Sequence, residues 1–194
     1  IELMKNANIN RVPKKKNSKN QTSEVCQKNL KNKALNYLSK YASTEEKLRQ
    51  ILVKYCKRKW PQATIQDSEE HIKETVKWCS KYEYVNDYDY MIMKINSGRL
   101  KGQSATLIKQ KLIQAGLSKN IVLKAFTEDE NHFENEFKAA LVMAKKKRIG
   151  PFSLKSTNDK SERRRQMARL ARAGFNYEIC KNVFDYSIES EANS

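Results

Sequence analysis

The chain has 194 residues, and 39 Lys and Arg against 22 Asp and Glu give it a formal charge of +17. A surplus of that size points to a polyanionic partner or an acidic protein surface; the plainer reading is solubility in a Lys-rich proteome. Five Gly and three Pro favour helices with short corners over a sheet, and no apolar run approaches the roughly 18 residues of a membrane span.

Residues 1–33 are rich in Asn, Lys and Ser, show no helical periodicity and carry 9 basic against 2 acidic residues. They read as a flexible basic tail, either inert or touching a phosphate backbone. From Ala34 the apolar spacing becomes helical, with Leu35, Leu38 and Tyr41 on one stripe. Ser43-Thr44-Glu45-Glu46 reads as a capping box led by Ser43, opening a second helix through Leu48, Ile51, Leu52 and Tyr55 that stops before Pro61. A third helix opens at Asp67-Ser68-Glu69-Glu70 and turns Ile72, Thr75, Val76 and Cys79 inward, with Trp60 and Trp78 read as packing residues rather than stacking platforms for bases. These helices define a first unit over 34–85.

A second unit, 86–126, opens at Asn86-Asp87-Tyr88-Asp89, runs through Met91, Ile92 and Ile95, and is broken between Gly98 and Gly102. Its next helix, from Ser104, carries Ala105, Ile108, Leu112 and Ala115 to Gly116, and a short one runs from Ser118 to Phe126. The third unit, 127–194, starts at a capping box Thr127-Glu128-Asp129-Glu130. Its long helix carries Phe133, Phe137, Ala140, Leu141 and Ala144 and stops at Gly150-Pro151. Asp159–Ala173 forms the next helix, with Met167, Leu170 and Ala171 on its buried side. Asn176 opens the last, and the final residues fray.

One corner occurs twice. Leu112-Ile113-Gln114-Ala115-Gly116-Leu117-Ser118 matches Leu170-Ala171-Arg172-Ala173-Gly174-Phe175-Asn176, with the two glycines 58 residues apart. Gly suits the left-handed residue that closes a helix, and the Ser or Asn two residues on suits the next N-cap. Ile121 with Ile179, Ala125 with Val183 and Phe126 with Phe184 extend the match, and Cys56 stands where the first unit has no such Gly. The fold class is therefore all-α: three tandem three-helix repeats in an elongated array whose neighbours share apolar faces.

The charge is unevenly placed. Residues 91–127 hold 7 basic and no acidic residues, residues 128–144 hold 1 against 5, and residues 145–173 hold 11 against 2. Arg165, Arg169 and Arg172 recur at i, i+4 and i+7 on one helix face, where the forked guanidinium suits phosphate or carboxylate; an ordinary solvated face is the alternative. Lys145-Lys146-Lys147-Arg148 sits at a helix C-terminus, where cations also favour the dipole. Arg99, Lys101, Lys109 and Lys111 make a looser patch.

Catalytic signals are missing. No Gly-rich phosphate loop and no nucleophile–base grouping occurs, and Asp87 with Asp89 is accounted for by capping. Cys26, Cys56, Cys79 and Cys180 are widely spaced, and His71 and His132 complete no metal set, so reduced thiols, a cytoplasmic location and no cofactor or metal are expected.

Taken together, Ala34-x-x-x-Leu38 to Ser43, Asn86-Asp87 before a helix, Ile108-x-x-x-Leu112-x-x-Ala115-Gly116-Leu117 and Arg172-Ala173-Gly174-Phe175-Asn176-x-x-Ile179 resemble the RecX family, regulators of the RecA recombinase. The resemblance covers about residues 34–186. It departs from the family at the basic tail, at Cys56 and at Asn86. It implies a curved array lying in the groove of a RecA–DNA filament and inhibiting ATP hydrolysis, strand exchange and co-protease action. With no catalytic motif the chain is expected not to be an enzyme, and a monomer that binds DNA weakly and without sequence preference is expected. Charge and helical face nominate Arg99, Lys101, Lys109, Lys111, Lys147, Arg148, Arg165, Arg169 and Arg172 as the contact residues. A helical DNA-binding module acting alone, such as a transcription regulator, is the competing expectation.

Overall fold

The computed structural model describes residues 18–60, 65–154 and 159–186, with side chains from Gln27 onward and, in the third helix, from Ser68. Among them are nine α-helices: α1 (Ser18–Leu38), α2 (Glu45–Lys59), α3 (Ile65–Lys81), α4 (Asp87–Leu100), α5 (Ala105–Gln114), α6 (Lys119–Thr127), α7 (His132–Lys147), α8 (Lys160–Arg172) and α9 (Tyr177–Asp185). A 3-10 turn, Gly150–Phe152, follows α7.

The buried apolar side chains fall into three cores, one per helix triplet. Leu30, Ala34, Leu48, Leu52, Ile72 and Cys79 build the first. Met91, Ile95, Ile108, Leu112, Val122 and Phe126 build the second. Ala140, Ala144, Ile149, Leu170, Ile179 and Val183 build the third. Each is too small to bury a full domain's apolar surface, so the units gain from leaning on one another.

Several boundaries differ from the sequence reading. Helix α1 begins at Ser18 and buries Leu30, so part of the expected tail is the first strut of the first core. Its periodicity is hidden because, from Ser18 to Asn29, every residue but Val25 and Cys26 is polar. Residues 1–17 and the final segment 187–194 lie outside the described residues. The cap of α2 is Thr44 rather than Ser43: its hydroxyl accepts from Lys47 N. Helix α3 starts at Ile65, before the expected Asp67.

Helix α4 ends at Leu100, within the expected break between Gly98 and Gly102: Gly98 lies in its last turn, where a Cβ would meet Ile108 at 2.7 Å, and Gly102 takes φ +76. The expected box at Thr127 is absent because Thr127 still belongs to α6, its hydroxyl donating to Leu123 O, and α7 starts after Asn131. Phe133, Tyr41 and Ala171, expected inward, are exposed, and so is Ile121, the counterpart of the buried Ile179. On α8 the buried position beside Leu170 is filled by Gln166. Its amide accepts from Gly150 N (2.8 Å) and donates to Ser153 and Glu162, tying the 3-10 turn to the helix. Arg148, in the left-handed conformation at φ 53, closes α7 two residues before the expected Gly150.

The units are joined by one seam, built twice. Thr44 caps α2 and donates its hydroxyl to Ala115 O at the end of α5 (2.5 Å), while Glu45 N donates to Asp87 Oδ1 (2.8 Å). Ser104 caps α5 and donates its hydroxyl to Ala173 O at the end of α8 (2.5 Å), while Ala105 N donates to both Glu136 carboxylate oxygens (2.9 and 3.1 Å). At each seam a hydroxyl cap meets the C-terminal end of the following unit's middle helix, and a carboxylate takes the first free helix N–H. The glycine of that corner is pressed against the same place: a Cβ on Gly116 would lie 2.5 Å from Glu46 Cβ, and one on Gly174 2.6 Å from Ser104 Oγ.

Candidate interface of basic side chains

The second seam sets the relation of the two positive blocks. Two further contacts link them side by side. Lys146 Nζ donates to Lys101 O (3.2 Å), bringing the C-terminal run of α7 against the end of α4. Arg169 Nη2 donates to Lys147 O (3.3 Å), bringing the α8 stripe against the same run. A series of basic side chains therefore passes from α4 across the end of α7 to α8.

Most nominated residues stand on this series. Lys101, Lys111, Lys147, Arg148, Arg165, Arg169 and Arg172 are exposed. Lys111 Nζ donates to Gln103 (3.0 Å) beside a cavity of about 250 Å³ that Lys94 and Lys101 also line. Arg165 holds only a loose pair with Glu162 (3.4 Å), and Arg172 Nε donates to Ala168 O one turn back. Salt bridges this exposed contribute little, so these cations stay available to an anion.

Arg99 and Lys109 lie apart from that series, around the Phe126 ring, with Lys109 Nζ 4.8 Å from its centroid. Arg99 pairs with Asp129, and both side chains are partly buried. Burial raises the Asp129 carboxyl, but bonds from Arg99 and Asn135 and the Arg99 charge outweigh it and hold the group below its ordinary value. Its guanidinium therefore braces α4 against the turn before α7. Glu136, also in this neighbourhood, is pushed up by burial despite the bonds from Ala105 N and the charges of His132, Arg99 and Lys109.

Lys146 and Lys94 were missed as individual contacts. The run at 145–148 was visible, but only the folded chain shows Lys146 reaching Lys101. The seam residues were missed too. Asp87 looked like an ordinary helix-start acid, yet it accepts from Glu45 N in the preceding unit. Among the described residues no group of His, Cys, Asp and Glu is arranged to hold a metal, and no helix is long and apolar enough to cross a membrane.

No family model matches the chain. It is 33% identical over 174 residues to the Regulatory protein RecX of Myxococcus xanthus, covering 89% of this chain and 92% of that one. It is 30% identical to the Regulatory protein RecX of Clostridium perfringens over 79% of this chain and 66% of the relative. In fold it is similar to the crystal structure of RecX from Lactobacillus salivarius, with a TM-score of 0.63, 19% identity, and coverage of 84% of this chain and 96% of that one. A likeness to the Myxococcus protein that runs through all three helical units assigns the chain to the RecX family.

Proposed function

We propose that this chain is a non-enzymatic regulator of the RecA recombinase that lies in the groove of a RecA–DNA filament and blocks ATP hydrolysis, strand exchange and co-protease action. The observation that carries this reading is the series of cations from Lys101 and Lys111, past Lys147 and Arg148, to Arg165, Arg169 and Arg172. It spans two units joined by a hydrogen-bonded seam, as contact with an extended polyanionic fibre requires. Arg99 and Lys109 then serve the chain's own packing.

The protein acts as a monomer, and its affinity for naked DNA is weak and blind to sequence, since exposed Lys and Arg recognise phosphate rather than base edges. The deciding experiment is a titration of the chain into RecA ATPase and strand-exchange reactions. Inhibition at substoichiometric protein, with far tighter binding to filaments than to DNA alone, supports the proposal. Tight, sequence-selective binding to naked duplex, with RecA unaffected, overturns it in favour of a stand-alone DNA-binding regulator.

A further inference from the structure

The twice-built seam defines what the equivalent edge of the third unit has become. Counted back from Gly174 as Ser104-Ala105-Thr106 is counted from Gly116, the matching residues on α8 are Glu162, Arg163 and Arg164. In the first two units this edge is covered by a helix C-terminal corner: Gly116 lies on Glu46, and Gly174 on Ser104 and Thr106. In the third unit two of the matching residues, Arg163 and Arg164, line a groove of about 1040 Å³ between α8 and α9. Its floor is Met167, Ala168 and Ala171, its side is Tyr177 at 75% exposure, and its rim includes Lys160, Arg164 and Arg165.

The seam chemistry has also changed. Arg163 N, which would be the free donor at this position, already donates to Asp159 O within the extra turn that starts α8. Glu162 replaces the hydroxyl donor and is engaged by Gln166 and Arg165. Another unit of the same kind therefore finds neither of its bonds here, whereas the side-chain cations on the rim remain.

We infer that this groove docks an acidic amphipathic helix of a protein partner, seated with its C-terminal end toward Arg164. A gap between two helices with an alanine floor admits a third helix at close approach, apolar side down. The rim cations select carboxylates on the upper side, and the carbonyls that end a helix carry partial negative charge toward Arg164. In the other two units a helix end lies against the residues that match Glu162 and Arg164. Nucleic acid fits less well, because a phosphate track would lie over methyl groups and leave that floor unpaired.

The test uses the full chain and a fluorescein-labelled helical peptide of Glu, Leu and Ala, roughly 18 residues long so that it is partly helical by itself. Anisotropy titrations compare the wild type with A168Q/A171Q, which fills the groove without altering charge, and with R164Q. A peptide with Gln for Glu and a labelled single-stranded DNA serve as the other probes. The wild type binds the acidic peptide and not the Gln peptide. A168Q/A171Q weakens that binding roughly tenfold or more while DNA affinity holds within about twofold, and R164Q weakens it in a salt-dependent way. Circular dichroism of the variants matches the wild type, since both alanines are exposed on a helix. An acidic peptide that fails to bind, or that binds the filled variant equally well, overturns the inference. So does a filled variant that loses DNA instead, which assigns the groove to nucleic acid.

Discussion

Arg99 and Arg169 carry the same charge in the same basic molecule, and their surroundings give them opposite roles. Arg99 is partly buried against Asp129, so Arg99→Ala removes that carboxylate's charged partner, leaves it the bonds from Asn131 N and Asn135, and lowers stability by about 1–2 kcal/mol in urea denaturation. Arg169→Ala removes one exposed bond to Lys147 O; it leaves stability within about 0.5 kcal/mol and weakens filament binding. The distinction was illegible in the sequence, because Asp129 is 30 residues from Arg99 and looked like a helix-start acid. Gly174, by contrast, was legible as a left-handed helix end. The fold adds a second demand, since φ is +95 and the Cβ site is filled by Ser104 Oγ. Gly174→Ala is expected to cost about 1–3 kcal/mol, more than backbone strain at an open turn.

Helix starts were read well at Asn86, Ser104, Asp159 and Asn176, where the cap side chain reaches its own helix, and one residue early at Thr44. They were misread at Thr127, where the chain had not yet left α6. The acids near α7 make the seam and its neighbour pH-sensitive in opposite senses. Asp129 is held below its ordinary 3.8, so its ionised form favours the fold; that contribution is present above pH 3.8 and lost as pH falls through the lowered value. Glu136 is raised above 4.5, so its ionisation opposes the fold; the associated stability is present below pH 4.5 and lost as pH rises through the raised value. Glu136→Gln keeps an acceptor for Ala105 N and removes that loss. The variant is expected to equal or exceed the wild type at neutral pH and to show a flatter stability curve above pH 4.5, read by urea midpoints across pH.

For the whole molecule the all-helical plan was visible, because apolar residues recur at helical spacing between capping and Ala-Gly corners. What holds the units together was not, because a Thr or Ser before a helix looks the same whether or not its hydroxyl also reaches another unit. The proposed filament contact makes a joint demand on charge and integrity. Reversing Arg165, Arg169 and Arg172 to Glu is expected to abolish RecA inhibition with helical circular dichroism unchanged; persistent inhibition would remove that face from the interface. On single-stranded DNA alone, the same variant is expected to lower the slope of log affinity against log salt by about 0.7 for each phosphate that is no longer neutralised.

Each seam ties a hydroxyl to a carbonyl about 70 positions further on, 71 for Thr44 with Ala115 and 69 for Ser104 with Ala173. The glycine after that carbonyl is therefore constrained by a neighbour one unit upstream as well as by its own turn. In related chains the two positions are expected to change in concert, the hydroxyl disappearing where the small Ala-Gly pair does. Such long-range pairing would let the number of linked units be counted from aligned sequences before any coordinates exist.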